Sequence, residues 1–237
     1  RETPRWAHAV HARCGSGARW KGVFTHFHGA DAPDWSMTRT QWERFQAALA
    51  QLPVARRELW VHAANSAGAL RGPEFASDAV RPGIYLYGGD PAPGLGQRTY
   101  PAPRPVVSVR SRLLLVRDVP PGSTVGYGAT HTSRGPERWG TLGIGYGDGL
   151  RRALGNRGFA LVRGRRVPII GRISMDLTVV DLTAVPDARP GDVATLIGND
   201  GDEQILLDDV AKAAETIGYE ILTGLTPRLP RLESFEL

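Results

Sequence analysis

Two histidines, one arginine and a set of glycine-flanked tyrosines are the side chains whose types and spacing could do chemistry. His26 closes the apolar run Val23-Phe24-Thr25-His26-Phe27. His62 closes Leu59-Trp60-Val61-His62 in the same way, and Ala63-Ala64-Asn65-Ser66-Ala67-Gly68 follows it. In parallel α/β folds, ligands gather at the carboxyl ends of strands, so both positions suit a binding site. A satisfied core histidine fits the same pattern. Asn65 and Ser66 would open a short helix. There a hydroxyl and backbone N–H groups can bind an anion such as phosphate, or simply cap the helix. Arg81-Pro82-Gly83-Ile84 repeats the arrangement. It sets a charged residue, a stiff turn and a glycine whose backbone can approach a ligand closely.

Further along, Gly126-Tyr127-Gly128 frees the backbone on both sides of a tyrosine, which can then be aimed away from a sheet. Gly143-Ile144-Gly145-Tyr146-Gly147-Asp148-Gly149 does the same with more glycine than a strand needs. Plain turns carrying tyrosines are the simpler account of both. A phenol works as a base only where a cation or a hydrogen-bonding network stabilises the phenolate.

The elements that must position these groups change character along the chain. Thr3-Pro4 fits a helix start with proline in the first turn, and that helix is expected to run through Ala12. Trp20–Phe27 and Leu59–His62 read as buried strands, and Ala79-Val80 with Ile84–Tyr87 suggests more strand. Thr38-Arg39-Thr40-Gln41 resembles a capping box ahead of Trp42, Phe45, Ala48, Leu49 and Leu52 at helical spacing. Strands alternating with helices imply a parallel sheet with helical cover. Gly88–Pro105, rich in proline and glycine, reads as a linker. Beyond it, Val107, Val109, Ser111 and Leu113 begin an extended run. Phe159–Val162, Val167–Ile170, Leu177–Val180 and Val193–Ile197 follow as short strands between turn signals. A single helix is expected from about Leu207 to Ile217. The boundaries expected are therefore 1–103 for an α/β unit and 104–237 for a mainly β unit.

Composition removes several function classes. Hydrophobic residues are 41% and charged residues 22%, which excludes a disordered or fibrous chain. No apolar run reaches about 18 residues, so no membrane-spanning helix is expected. Cys14 is the one cysteine, which rules out an internal disulfide and a multi-cysteine zinc site and fits a reducing compartment. The sequence pI of about 9.8 invites a nucleic-acid reading. The arginines are scattered, however, with Arg163, Arg165 and Arg166 the only dense cluster. Of 29 basic residues only Lys21 and Lys212 are lysine. Chemistry based on lysine therefore has two candidates in this chain.

Taken together, the segments resemble the alanine racemases. The matching strings are Thr25-His26-Phe27, Ala64-Asn65-Ser66-Ala67, Val80-Arg81-Pro82-Gly83-Ile84 with Tyr87-Gly88, and Gly126-Tyr127-Gly128-Ala129-Thr130. They continue with Ile144–Gly149, Gly171-Arg172-Ile173-Ser174-Met175-Asp176, and Tyr219-Glu220. They come in family order over nearly the whole chain. The resemblance implies the carboxy-terminal part of a TIM-like (β/α) barrel that binds pyridoxal 5'-phosphate, followed by a mainly β domain. It implies interconversion of L-alanine and D-alanine in a cytoplasmic homodimer with shared active sites, supplying D-alanine for peptidoglycan. No metal, nucleic acid or membrane partner is expected.

Roles carry over position by position. Tyr127 resembles the catalytic acid/base tyrosine contributed by the partner subunit. His26 resembles the histidine beside the cofactor ring that bonds that tyrosine. Arg81 resembles the arginine facing the pyridine nitrogen. Ser66, Gly83, Ile84 and Tyr219 resemble phosphate ligands, and His62 and Asn65 join the cofactor-binding set. Tyr146 resembles the tyrosine at the narrow entrance, and Met175, through its backbone N–H, a contact to the substrate carboxylate.

One motif is missing. The family's cofactor lysine lies on the first barrel strand in an Ala-Val-x-Lys-Ala-x-Ala-Tyr-Gly-like string, and neither Lys21 nor Lys212 sits in anything like it. The tyrosine after that lysine and the arginine of a Met-x-Arg segment are absent too. The expectation is a racemase represented from mid-barrel onward. The rivals are a truncated, inactive relative, a racemase for another small amino acid such as serine, and a single-barrel cofactor-binding protein, which the β domain argues against.

Overall fold

The computed structural model of the chain describes residues 3–14, 20–93 and 99–233. The backbone forms two compact units, Arg1–Arg104 and Pro105–Leu237. Residues 94–98 of the proline- and glycine-rich stretch lie outside the described residues.

The first unit contains α1 (Thr3–Arg13), β1 (Gly22–Phe24), α2 (Ser36–Leu49), β2 (Trp60–Asn65), α3 (Ser66–Arg71) and β3 (Ala79–Arg81). The strands form one parallel sheet in the order β1-β2-β3. Parallel neighbours need crossovers, and the helices between them supply these. Val61 and Ala63 of β2 pack into a core with Phe27, Phe45, Leu59 and Phe75. Full burial of each such phenylalanine stabilises the unit by roughly 2–3 kcal/mol. Phe27, Trp42 and Phe75 meet edge-on, with ring centroids 5.3–6.3 Å apart. The strand period turns Trp60, His62 and the paired Phe24 to the other face.

Two local expectations are corrected in this unit. Thr38–Gln41 is not a capping box: α2 starts two residues earlier, at Ser36. Asp34 accepts from the Ser36 hydroxyl at 2.6 Å and from its N–H at 2.9 Å. These bonds, the hydroxyl's first, hold the Asp34 carboxyl below the usual range. Ile84–Tyr87 is a 3-10 turn, not a strand. Of its side chains only Ile84 is buried, so there is no second apolar position for a sheet to cover, and the Leu86 N–H bonds back to the Gly83 carbonyl at 2.9 Å.

The second unit contains β4 (Val109–Val119), β5 (Thr124–Val125), β6 (His131–Thr132), β7 (Glu137–Leu142), β8 (Phe159–Val162), β9 (Arg165–Ile170), β10 (Thr178–Asp181), β11 (Val193–Asp200), β12 (Glu203–Ile205), α4 (Leu207–Ala213) and α5 (Gly218–Gly224). Seven strands run in the order β12-β11-β4-β7-β10-β9-β8, and β8 also pairs with β11. That extra pairing closes six antiparallel strands into a barrel and removes their free edges. Leu113, Trp139, Leu142, Leu161, Ile169 and Val180 are fully buried.

Strand β7 was not expected from sequence. Its Glu137-Arg138 start looks solvated, but Arg138 reaches across the ladder to Asp118 at 2.8 Å. The helix expected from Leu207 to Ile217 ends early, at Ala213, and a second helix that was not expected follows beyond Ile217. The chain leaves the helical region after Ala213, Glu215 takes φ +55°, and α5 starts at Gly218.

Candidate active site

The parallel register of the first unit builds a cluster at the carboxyl ends of its strands. Phe24 of β1 lies opposite His62 of β2, and Asn65 lies opposite Arg81 of β3. Paired residues share a sheet face, so Phe24 and His62 stack with centroids 5.4 Å apart and an interplanar angle of 4°. The Arg81 guanidinium carbon lies 5.4 Å from the Phe24 ring centroid, within cation–π range.

Arg81 organises the cluster through its two terminal nitrogens. One donates to His62 Nδ1 at 2.5 Å. The other has Thr25 O at 3.1 Å, Ala63 O at 3.2 Å and His26 Nδ1 at 3.2 Å. A guanidinium only donates, so His62 Nδ1 is an acceptor and a neutral His62 ring carries its hydrogen on Nε2. The Arg81 Nε–H has no hydrogen-bond partner among the described residues. The result is a fixed planar cation with the Nε–H and one Nη1–H still available.

Beside it, the backbone turns tightly. Asn65 caps α3, its Oδ1 accepting the Gly68 N–H at 2.9 Å. That bond turns its Nδ2 toward His26 Nε2, 3.5 Å away, too far for a good hydrogen bond. Ser66 is 1% exposed and its Oγ accepts the Gly83 N–H at 2.8 Å. Its hydroxyl hydrogen finds no acceptor among the described residues. Gly83 faces open space where a side chain would project. Ile84, next along, is buried. The first unit thus brings His26, His62, Asn65, Ser66, Arg81, Gly83 and Ile84 to one end of its sheet.

In the second unit, Tyr127 is 70% exposed between two glycines with φ +77° and +75°. A left-handed backbone on both sides costs glycine nothing and other residues about 1 kcal/mol or more each. Arg172 lies beneath this turn, its Nη1 3.4 Å from the Tyr127 carbonyl. Tyr146 opens the 3-10 turn Tyr146–Asp148, and its N–H donates to Ser174 O at 3.0 Å. The Gly147 N–H donates to Met175 O at 2.8 Å. Tyr146 and Met175 therefore sit on two turns fastened to each other, and both side chains are exposed. Tyr219 lies in the first turn of α5, also exposed, with Thr223 Oγ1 on its carbonyl at 2.8 Å.

Three positioning residues escaped the sequence reading. Gln41, expected to cap α2, holds the strand-end loop: its Nε2 donates to His26 O at 2.6 Å and Thr25 Oγ1 at 3.2 Å. Its spacing from Thr38 was visible, but its target lies 15 residues upstream. Phe24 stacks on His62, which the apolar run could suggest only once the register was known. Arg228 pairs with Asp148 and Asp176, 80 and 52 residues away, and carries no sequence signal. Lys21 precedes β1, at the opposite end of that strand from His26, and Lys212 is on α4.

Comparison with known proteins gives a consistent picture. The family described as "Alanine racemase, C-terminal domain" matches residues 106–233, and "Alanine racemase, N-terminal domain" matches residues 2–91. The alanine racemase of Halothermothrix orenii is 40% identical over 217 residues, covering 91% of this chain and 57% of that protein. The solved alanine racemase of Streptomyces coelicolor A3(2) superposes with a TM-score of 0.90 at 36% identity, over 99% of this chain and 61% of that one. An alanine racemase from Bartonella henselae, solved with covalently bound pyridoxal phosphate, gives 0.83 at 34% identity, over 96% and 61%. The chain thus spans little more than half the length of the curated relative it matches.

Proposed function

The chain belongs to the alanine racemase family, and on that premise we propose that it is the carboxy-terminal part of an enzyme that interconverts L- and D-alanine with pyridoxal 5'-phosphate. The observation that carries this reading is the Arg81 cluster. It offers a donor-only cation, locked by His62 and two backbone carbonyls, with Nε–H still available. Such a group suits a neutral ring nitrogen as acceptor and cannot readily give up its proton. A carboxylate at that position would favour a protonated ring instead. The buried Ser66 hydroxyl, its hydrogen without an acceptor, suits a phosphate oxygen. The residues present therefore fit the cofactor.

When bound, pyridoxal phosphate supplies the electron-withdrawing chemistry that makes the Cα–H of an amino acid acidic. The chain's own groups bind and move protons around it. Ser66, Gly83, Ile84 and Tyr219 would hold the phosphate, with Asn65, His62 and His26 around the ring. Arg81 would donate to the pyridine nitrogen and keep it unprotonated. Tyr127 would give and take a proton at Cα on one face, its phenolate stabilised by the partner subunit's His26–Arg81 network. Met175 N–H would bind the substrate carboxylate, and Tyr146 would narrow the approach. The second base, a lysine, would come from the amino-terminal half of the barrel. The reading extends to a cytoplasmic homodimer in which Tyr127 serves the partner's cofactor and D-alanine feeds peptidoglycan. Serine differs by one hydroxyl, which apolar pockets reject poorly.

The test is to supply the lysine. The chain, joined to the lysine-bearing half-barrel of a relative and loaded with pyridoxal phosphate, should incorporate solvent deuterium at alanine Cα from both enantiomers. Failure of the folded, cofactor-loaded assembly to do so would overturn the assignment.

A further inference from the structure

We propose that Arg228 is a positioning residue: it latches the turn that carries Tyr146 to the turn that carries Met175, and so sets the spacing between that ring and the Met175 N–H. The proposal rests on the reading above, in which these two groups meet the substrate.

Two turns of the second unit are joined backbone to backbone. Tyr146 N–H and Gly147 N–H donate to the carbonyls of Ser174 and Met175 at 3.0 and 2.8 Å. A Cβ on Gly145 would run into the carbonyls of Ser174 and Met175, which is why a glycine stands there. Each turn also carries one carboxylate, Asp148 on the first and Asp176 on the second. Arg228 spans both, with Nε 3.0 Å from Asp148 and Nη2 2.5 Å from Asp176. The segment that carries Arg228 is anchored two residues upstream, where the Thr226 N–H donates to Asp148 O at 3.1 Å and Thr226 Oγ1 to Gly147 O at 3.1 Å.

The chemistry favours arginine at this position. Asp148 is 7% exposed, and its second oxygen accepts the Gly145 N–H at 2.9 Å. A buried carboxylate without a cation is strongly unfavourable, so Asp148 holds Arg228 firmly. The planar guanidinium then extends a second donor to Asp176 on the neighbouring turn. Lysine carries the charge but presents a single point, not a fork. It would satisfy Asp148 and leave Asp176 loose. The exposed Arg228–Asp176 pair adds little to global stability. Its effect is local, on how far the two turns can part.

The experiment reads amide exchange in this chain. In Arg228→Ala, the Tyr146 and Gly147 amides should exchange about tenfold faster or more, with barrel amides such as Leu161 and Val180 unchanged. Arg228→Lys should fall between Ala and the parent. Asp176→Asn, which leaves the buried carboxylate paired, should speed the same two amides if Arg228→Ala does not fold. In the lysine-complemented racemase, Arg228→Lys should raise KM for alanine about tenfold while kcat changes less than about twofold. Unchanged exchange at Tyr146 and Gly147 in both Arg228→Ala and Asp176→Asn overturns the latch. So does faster exchange spread across the barrel. Local loosening with an unchanged KM overturns the positioning role. An inactive parent assembly overturns the racemase reading instead, and the exchange data then decide the latch by themselves.

Discussion

Replacing Arg81 with methionine keeps most of the aliphatic stem and removes every donor. The structure says what is lost: the bond to His62 Nδ1 at 2.5 Å, those to Thr25 O and Ala63 O at 3.1 and 3.2 Å, and the cation over Phe24. Arg81 is half-buried, so solvent screens part of each bond. At about 0.5–1 kcal/mol apiece after screening, three bonds come to roughly 2 kcal/mol. That is about 30-fold in the folding equilibrium of the first unit, and about 10 °C in its Tm for a unit of this size. Fluorescence can follow the unit selectively, because Trp6, Trp20, Trp35, Trp42 and Trp60 lie in it and only Trp139 lies in the other. Arg81→Met should lower the tryptophan-detected midpoint by that amount. It should also weaken retention of added pyridoxal phosphate, followed by the cofactor's absorbance. Arg81→Lys should recover part of the stability, through charge at His62 and one carbonyl, but less of the cofactor binding, because the flat fork is gone. A midpoint shift under about 2 °C would mean that the guanidinium is not fixed by its neighbours. The idea of a donor held ready for a ring nitrogen would then fall. Parent-like cofactor binding in Arg81→Met would refute the assignment directly.

Incubation of the chain with pyridoxal phosphate and borohydride should leave no stoichiometric adduct on Lys21 or Lys212 by peptide mapping; a full adduct accompanied by racemase activity would show that one of them replaces the missing lysine. In the lysine-complemented enzyme, Tyr127→Phe should damage deuterium exchange from one enantiomer far more than from the other, and equal small effects on both would remove Tyr127 from the proton transfer. The backbone bond from Arg189, and then the Arg163 side chain, hold the Asp192 carboxyl below its usual range. Its contribution is therefore present above about pH 4 and lost as pH falls through the lowered value. Asp192→Asn should thus be less stable than the parent at pH 7, with a difference that shrinks as pH falls below about 4, and a constant or growing difference there would contradict the sign.

The sequence by itself determined the family, the α/β and β characters of its two parts, the four strands between Phe159 and Asp200, and the glycines that free Tyr127. These are local properties. Alternating burial, turn residues and positive φ are written in stretches of a few residues, and motif strings survive as strings. The missing lysine motif was legible for the same reason. Tertiary structure decided what local pattern could not. Ile84–Tyr87 has the composition of a strand, yet only Ile84 found a core to enter. The helix after Leu207 stopped at Ala213, although the apolar spacing ran on to Ile217, because the backbone turned left-handed at Glu215. Gln41 went to the His26 carbonyl and not to a helix cap, and Arg81 met His62 only once the parallel register set β3 beside β2. Arg228 reached Asp148 across 80 residues of chain because the intervening strands close into a barrel. Hydrogen bonds and ion pairs act over a few ångströms of space, and sequence spacing fixes such distances only within a single helix, strand or turn.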